Sequence, residues 1–505
     1  MRMISAQNDF DAANYARLIN KCVFSKHSVM SIAHVVQKLR LPGTTHARRR
    51  AGDLADPAHS PKEGQLMKFS RTRARGSALL VGATCLALAA TGCTSSAAPS
   101  TTTKGSTITV ALFFAPPPKA SLDAFTKSTG ITVKWATVDW DSLQTKIAAA
   151  STSNTYFADA TDVDWSRVGQ EGKLGWFLPM EKYIDQKAYA ADMPQLTSFT
   201  SGGHVVGVPF DSSYLVTTVN KPMFAKAGIT AMPTTMDEYT QDLRKVKASG
   251  GAENPLNIPF AAAEGLSTYW YQATQAFGGE ILDGKGNPQF TSPQSGGYKA
   301  AQWMVDAMKT GLVPAGNINV SDSQGQQTLM AKGVVASTFG DYVGNVGSLY
   351  DLPASSSVVG NVSYIPTPGV TGVAANVSNP DGIGIPKTAK NPEAAAKFIE
   401  WFTSAQNQAD FAGASGTAKV MTGYFLPSRL SGLAKLTSAG VLTDGAELTG
   451  LLKTSKPVFP KGAPVWYPQF SNAVYTNLHA AATGTMSVDA AMKAIAATVK
   501  TLAAQ

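Results

Sequence analysis

Carboxylates and aromatic rings lie close together in two short stretches of this chain, Asp139-Trp140-Asp141 and Asp162-Val163-Asp164-Trp165, and a third, Phe113-Phe114, adds two more rings. An aromatic face buries the apolar side of a ligand ring, while a neighbouring carboxylate accepts hydrogen bonds at its rim. That combination suits binding. Hydrolysis would need two carboxyls at a fixed separation, one with a raised pKa, and the spacing of the acids singles out no such pair. Gly-x-Ser-x-Gly, His-Glu-x-x-His and a Gly-rich phosphate loop are all missing from the sequence. Asp162 and Asp164 read as facing opposite sides of a strand, so at most one is expected to reach a ligand.

Nucleophiles and metal ligands are scarce once an N-terminal leader is set aside. The three cysteines are Cys22, Cys85 and Cys93, and only His204 and His479 follow Cys93. No disulfide framework, cysteine nucleophile or zinc cluster is available beyond that point, and no cofactor or metal is expected. The net charge of +9 also belongs to the leader: residues 1–92 carry 14 basic and 5 acidic side chains, leaving 29 of each from Cys93 onward. A neutral body gives no electrostatic footprint for nucleic acid.

The leader itself has a recognisable build. From Met67 the chain reads MKFSRTRARGSALLVGATCLALAATGC: basic at once, then apolar from Ala78 to Ala90, then small residues ending at Cys93. This is the n-region, h-region and cleavage site of a secretory signal. The run is shorter than the roughly 20 apolar residues a membrane span needs. The cysteine at the cleavage point resembles the lipobox of bacterial lipoproteins, with Ala90 where Leu is more usual. Residues 67–92 are therefore expected to be a lipoprotein signal, and Cys93 a lipidated N-terminus. Residues 1–66 are expected to be an upstream extension, with Met67 as the start of translation. Residues 93–106, rich in Ser and Thr, read as a flexible tether.

The body from Thr107 is about 400 residues long, enough for two lobes. TITVALFF and ITVKWATV read as buried strands, KASLDAFTKSTG as a helix closed by Gly130, and DSLQTKIAAA as a helix capped by Asp141 or Ser142. A third strand lies in YFADATDVD. The β-α-β-α-β order predicts a parallel sheet with right-handed crossovers, whose ligands collect at the carboxyl ends of its strands. PEAAAKFIEWF places Ala395, Phe398, Ile399 and Phe402 on one helical face, with Pro392 in the first turn. Trp135, Trp303 and Trp401 read as core.

Four later segments, taken in order, resemble family 1 extracellular solute-binding proteins, the maltose-binding-protein-like receptors. They are HVVGVPFDSSYLVTTVNKPMFAKAGITAMPTT, GGEILDGKGNPQFTSPQSGGYKAAQWMVDAMKTGLVP, MAKGVVASTFGDYV and GIGIPKTAKNPEAAAKFIEWFTSAQNQADFA. The resemblance covers nearly all of the chain after Cys93. It implies a two-lobe α/β fold of the periplasmic-binding-protein type II, each lobe a mixed, mainly parallel sheet flanked by helices, with three interlobe crossovers. These are placed near Ser212–Val219, Val335–Gly340 and Asp381–Pro386. Residues 107–216 and 338–382 are assigned to the first lobe, and 217–337 and 383–505 to the second.

By the same resemblance a ligand lies between the lobes, which close on it by a hinge. The positions expected at the cleft are Trp140, Asp164, Trp165, Phe210, Asp211, Tyr214, Tyr269, Trp270, Asp341, Tyr342, Asp381, Trp466 and Tyr467. Sugars head the ligand classes so implied, because stacking rings and hydrogen-bonding rims suit their two kinds of surface. An anionic solute such as a glycerophosphodiester is the alternative, and would depend on Arg167 or Arg429; a secreted glycoside hydrolase ranks below both. The expected partners are a small-molecule ligand and the permease subunits of an ABC importer. The membrane is met through the lipid alone, on the extracytoplasmic face, by a monomer that is not an enzyme.

Overall fold

Periodicity and caps shape a first set of elements much as the sequence implies. The computed structural model describes residues 103–504, apart from 323–324, 423, 443 and 460–461, and without the side chains of 325–326. The signal segment, Cys93, residues 1–66 and most of the tether lie outside the described residues. β1 (Thr107–Leu112), α1 (Lys119–Thr129), β2 (Thr132–Thr137), α2 (Trp140–Thr152) and β3 (Ala160–Asp164) follow in order. α1 ends at Gly130, which takes the left-handed conformation that a β-carbon disfavours. The cap of α2 lies two or three residues earlier than predicted, because the Asp139 carboxylate accepts the Ser142 backbone N–H.

β1 pairs in parallel with β2 and with β3. Later elements that bear on the site include β4 (Val208–Pro209), β5 (Leu215–Asn220), α3 (Met236–Ala248), β6 (Leu256–Asn257), α4 (Glu264–Ala276), α5 (Gly296–Lys309), β7 (Ser337–Tyr342), β8 (Val362–Ile365) and β9 (Asp381–Gly384). Two larger sheets result, in the orders β2-β1-β3-β9-β4 and β8-β5-β7-β6. β9 runs antiparallel to both β3 and β4, with Asp381 opposite Asp164. In the second sheet β5 is antiparallel to β7 and β8, and only β6 and β7 run parallel. The first sheet is thus mixed, and the second is mainly antiparallel rather than mainly parallel.

These pairings correct the lobe boundaries. Val335–Gly340 is no crossover: β7 bonds to β5 and β6, so it is internal to the second sheet. Nearly all of 338–382 accordingly belongs with the second lobe. Asp381–Gly384 enters the first sheet, and α6 (Pro392–Phe402) follows it there, its Phe398, Ile399 and Phe402 packing in one cluster with Ile108, Val110 and Leu112. The chain crosses between the sheets at 210–214, again between β8 and β9, and a third time between the 405–411 helix and the helix starting at Leu430. The last of these helices packs with Tyr214 and Val216 of the second lobe.

The second lobe is closed by α7 (Tyr467–Ala482) and α8 (Val488–Ala503), which share a core with α4 and α5. Among the described residues no helix is long and apolar enough to cross a membrane. Trp135, Trp303 and Trp401 are partly buried and pack against the cores.

Candidate functional site

Between the two sheets lies a cavity of about 470 Å³. Its first wall comes from the carboxyl ends of β1 and β3 and the start of α2, which present Phe113, Trp140, Asp164 and Trp165. The crossing segments supply Asp211, Ser212, Ser213, Asn379 and Asp381, and the third crossing adds Tyr424 and Phe425. From the second lobe, Glu264 and Thr268 of α4, Asp322, Tyr342 and Asn345 complete it.

Six of the thirteen expected positions line this cavity: Trp140, Asp164, Trp165, Asp211, Tyr342 and Asp381. The other seven do not, each for a local reason. Phe210 is 2 % exposed and turned into an aromatic cluster, 5.2 Å from Phe114 and 5.6 Å from Phe425. Tyr214 points into the second lobe, where its hydroxyl donates to the Leu448 carbonyl. Asp341 alternates with Tyr342 along β7 and so faces the other way. It is buried and satisfied by Thr218, Asn345 and Tyr350.

Helix phase explains the misses on α4. Glu264 and Thr268, one turn apart, take the cavity face, and Trp270 lies about 200° further round the helix axis. Trp270 is fully buried against Phe290, its Nε1 donating to Gly297 O at 2.9 Å, and Tyr269 packs on Gly340. Trp270→Phe is therefore expected to destabilise the protein by about 1–2 kcal/mol while leaving ligand affinity within twofold. A denaturation midpoint and a binding isotherm on the same sample check this. Trp466 lines a separate pocket with Tyr271 and Phe459. Tyr467 is buried beneath the cavity, donating to Glu264 Oε1.

Several residues of the second lobe hold the first. Trp165 packs edge-on to Tyr467 at 5.6 Å. Arg167 stands between the rings of Trp140 and Tyr467, at 5.5 and 5.6 Å, with Nη2 3.8 Å from Glu264. Two residues on, Gly169 meets the backbone at Ala463 so closely that a β-carbon would stand 1.8 Å from its carbonyl oxygen. Only glycine fits there. Arg167 is thus committed to Glu264 and to two rings. Arg429 is bound to Asp192 and the Thr403 carbonyl, away from the cavity. The anionic-solute alternative loses both of its arginines.

Acids dominate the electrostatics. Burial pushes the Asp211 carboxyl up to about 8, against the hydrogen bond it accepts from the Asp381 N–H at 2.9 Å. Desolvation raises Asp381 well above the usual range, and the charges of Asp162, Asp211 and Asp164 raise it further. Asp162 is fully buried, held by Gln144 at 2.6 Å, and is raised by burial and then by Asp164. Asp164 lines the cavity and Asp162 does not. The reason is depth rather than opposite faces, since alternate residues of a strand share a face. Asp164 accepts from both the N–H and the hydroxyl of Ser166. Burial also raises Glu264, which Arg167 partly offsets, and Asp322, which Tyr342 partly offsets. Among the described residues no group of His, Cys, Asp and Glu is arranged to hold a metal ion.

The sequence reading missed Glu264, Thr268, Asp322, Asn345, Asn379 and the Tyr424-Phe425 pair. Phe113, Asp139 and Asp141, lining residues left unassigned, did carry a signal, in the short aromatic and acidic stretches that follow predicted strands.

Comparison with known proteins agrees with this geometry. A maltose-bound MalE3 from T. maritima superimposes with a TM-score of 0.68 at 22 % identity, covering 78 % of this chain and 99 % of that one. An ABC transporter solute-binding protein from Agrobacterium radiobacter K84, solved with ribitol, gives 0.68 at 23 % identity over 79 % and 99 %. One from Agrobacterium vitis S4 with D-mannitol gives 0.66 at 24 % over 79 % and 98 %. These likenesses establish the two-lobe fold. In sequence, a putative binding protein of Brucella abortus (strain 2308) is 26 % identical over 296 residues, 56 % of this chain and 67 % of its own length. Residues 115–409 match the family model for bacterial extracellular solute-binding proteins. That span takes in the first two crossings and most of the cavity wall, and the chain belongs to this family.

Proposed function

We propose that the protein is the extracytoplasmic receptor of an ABC importer, capturing a mono- or oligosaccharide or a related polyol between its lobes. The observation that carries this reading is the cavity itself. Trp140, Trp165 and Tyr342 border it together with carboxylates, serines and asparagines. Sugars and polyols pair C–H surface with hydroxyls and so fit both kinds of lining. Maltose, ribitol and mannitol in the structural relatives support the same class. The receptor's contribution is a difference in affinity between open and closed states rather than chemistry. Anchoring through a lipidated Cys93, delivery to a membrane permease and action as a monomer complete the proposal.

A thermal-shift panel of sugars, polyols, amino acids and glycerophosphodiesters tests it. A cognate sugar at one hundred times its Kd is expected to stabilise the protein by about 2.7 kcal/mol and to be recovered uncleaved. A shift with amino acids alone, or a cleaved product, overturns it.

A further inference from the structure

We propose that the ligand carries a free, protonated amino group, held where Asp164, Asp211 and Asp381 converge; this rests on the saccharide-receptor reading and narrows it to amino sugars. Seven carboxylate side chains line the cavity, and no lysine, arginine or histidine does. Two of the seven have their charge or lone pairs occupied from within the protein. Glu264 has Arg167 at 3.8 Å and the Tyr467 hydroxyl, and Asp322 accepts from Tyr342 at 2.8 Å. Asp164, at the end of β3, has one oxygen held by Ser166, whereas no side chain donates to Asp211 or Asp381 at the crossings among the described residues.

Asp211 is the most informative of them. It is only 6 % exposed, yet it lines the cavity. One of its oxygens accepts the Asp381 backbone N–H, and among the described residues no other residue donates to the second. Asp381 lies opposite Asp164 across the β3–β9 ladder, with its carboxyl against that of Asp164. Behind both, Asp162 Oδ1 is buried without a partner. Arg167 offsets part of the cost for Asp162 but is already paired with Glu264, and burying several carboxylates beside one committed cation is costly. A fold that retains such a group leaves room for the cation from outside.

The shape of that cation follows from the donors it must supply. An ammonium group has three donors and no acceptor, which matches three converging carboxyls. A neutral hydroxyl brings one donor and two lone pairs, and the lone pairs would face more carboxylate oxygen. A bare metal ion is disfavoured, since no metal-holding arrangement of acids exists among the described residues. Trp140 and Trp165 border the same cavity and can take the sugar ring, and a ring face also favours a nearby cation.

Calorimetry on the mature protein with three matched series decides the matter: glucosamine and its β-1,4 oligomers, the N-acetylated forms, and neutral gluco-oligosaccharides of equal length. The titrations run at about pH 6, where an amine of ordinary pKa keeps its proton, and capture of the ammonium is then expected to release the proton that Asp211 carries below about 8. The free-amine series is expected to bind at least about tenfold more tightly than either other series, as one charge-assisted contact supplies, and to weaken as salt is raised. Asp211→Asn and Asp381→Asn are each expected to shrink that preference, read as the ratio of free-amine to neutral-sugar affinity in the same variant. Equal or tighter binding of the acetylated or neutral sugars overturns the amine proposal and leaves the receptor reading standing. Binding of non-sugar amines with no response to any saccharide overturns the receptor reading as well.

Discussion

Gly169→Val is expected to weaken ligand binding by about a hundredfold while barely changing the stability of either lobe. The β-carbon would meet the Ala463 carbonyl oxygen at 1.8 Å and its carbon at 2.9 Å, and backbone atoms cannot swing aside as a side-chain tip can. Val168, next in the chain, belongs to a first-lobe cluster, and Ala463 to the second-lobe core. The cheapest relief is to separate the lobes at this edge. That movement would also pull Trp165 from Tyr467 and Arg167 from Glu264, the contacts that hold the first lobe against α4 and α7. If the variant populates the ligand-holding state one time in a hundred, the apparent Kd rises a hundredfold, about 2.7 kcal/mol. Binding isotherms measure the loss, and small-angle scattering of the ligand-free variant should show a wider particle. Unchanged affinity would mean that the Gly169–Ala463 contact is no part of the ligand-holding state.

The second large effect is a fall in ligand-free stability as pH rises from about 4 to about 8. Asp211 titrates near 8 in the folded protein and near the ordinary carboxylate value when unfolded. Between those two pKa values the folded state binds more protons than the unfolded, so the slope of unfolding free energy against pH is negative. Stability contributed by the protonated carboxyl is complete below the unfolded value and gone above the folded one. For an isolated group the change amounts to about 5 kcal/mol over that window, and interaction with Asp381 spreads it over a wider range. Asp211→Asn removes the titration, so its unfolding midpoint is expected to exceed that of the parent at neutral pH and to vary less with pH. A parent protein equally stable at pH 5 and pH 8 would refute the assignment.

Much of the fold is written locally, and the sequence shows it. The Thr107 and Thr132 strands, the Gly130 terminator and the apolar face of 392–402 depend on neighbours a few residues away, and each forms as expected. The lobe boundaries depend instead on which distant strand β7 joins. Its alternation would serve either sheet, and only the pairing with β5 and β6 decides. The site divides the same way. Strand ends and crossings give Trp140, Asp164, Asp211 and Asp381, because topology fixes where they emerge. Trp270 against Thr268, and Asp341 against Tyr342, are choices between adjacent faces of one element. A large aromatic or an acid looks like a ligand contact in either phase, whereas Thr268 does not look like one at all. The phase is set by packing against Phe290 and by the partners Thr218 and Tyr350, residues far off in sequence.

The place of β9 also governs the order in which the molecule can assemble. This strand lies between β3 and β4, and β4 has no other partner in its sheet. The hydrogen bond from Asp381 to Asp211 joins positions 170 residues apart. A chain growing from its N-terminus can shape β1, β2 and β3 early, but the first sheet stays split until nearly the whole second sheet has been made. Closure of so long a loop slows folding, since its entropy is lost before the distant contacts form. The second lobe's sheet, continuous from 215 to 365, is then the scaffold that delivers the last strand of the first.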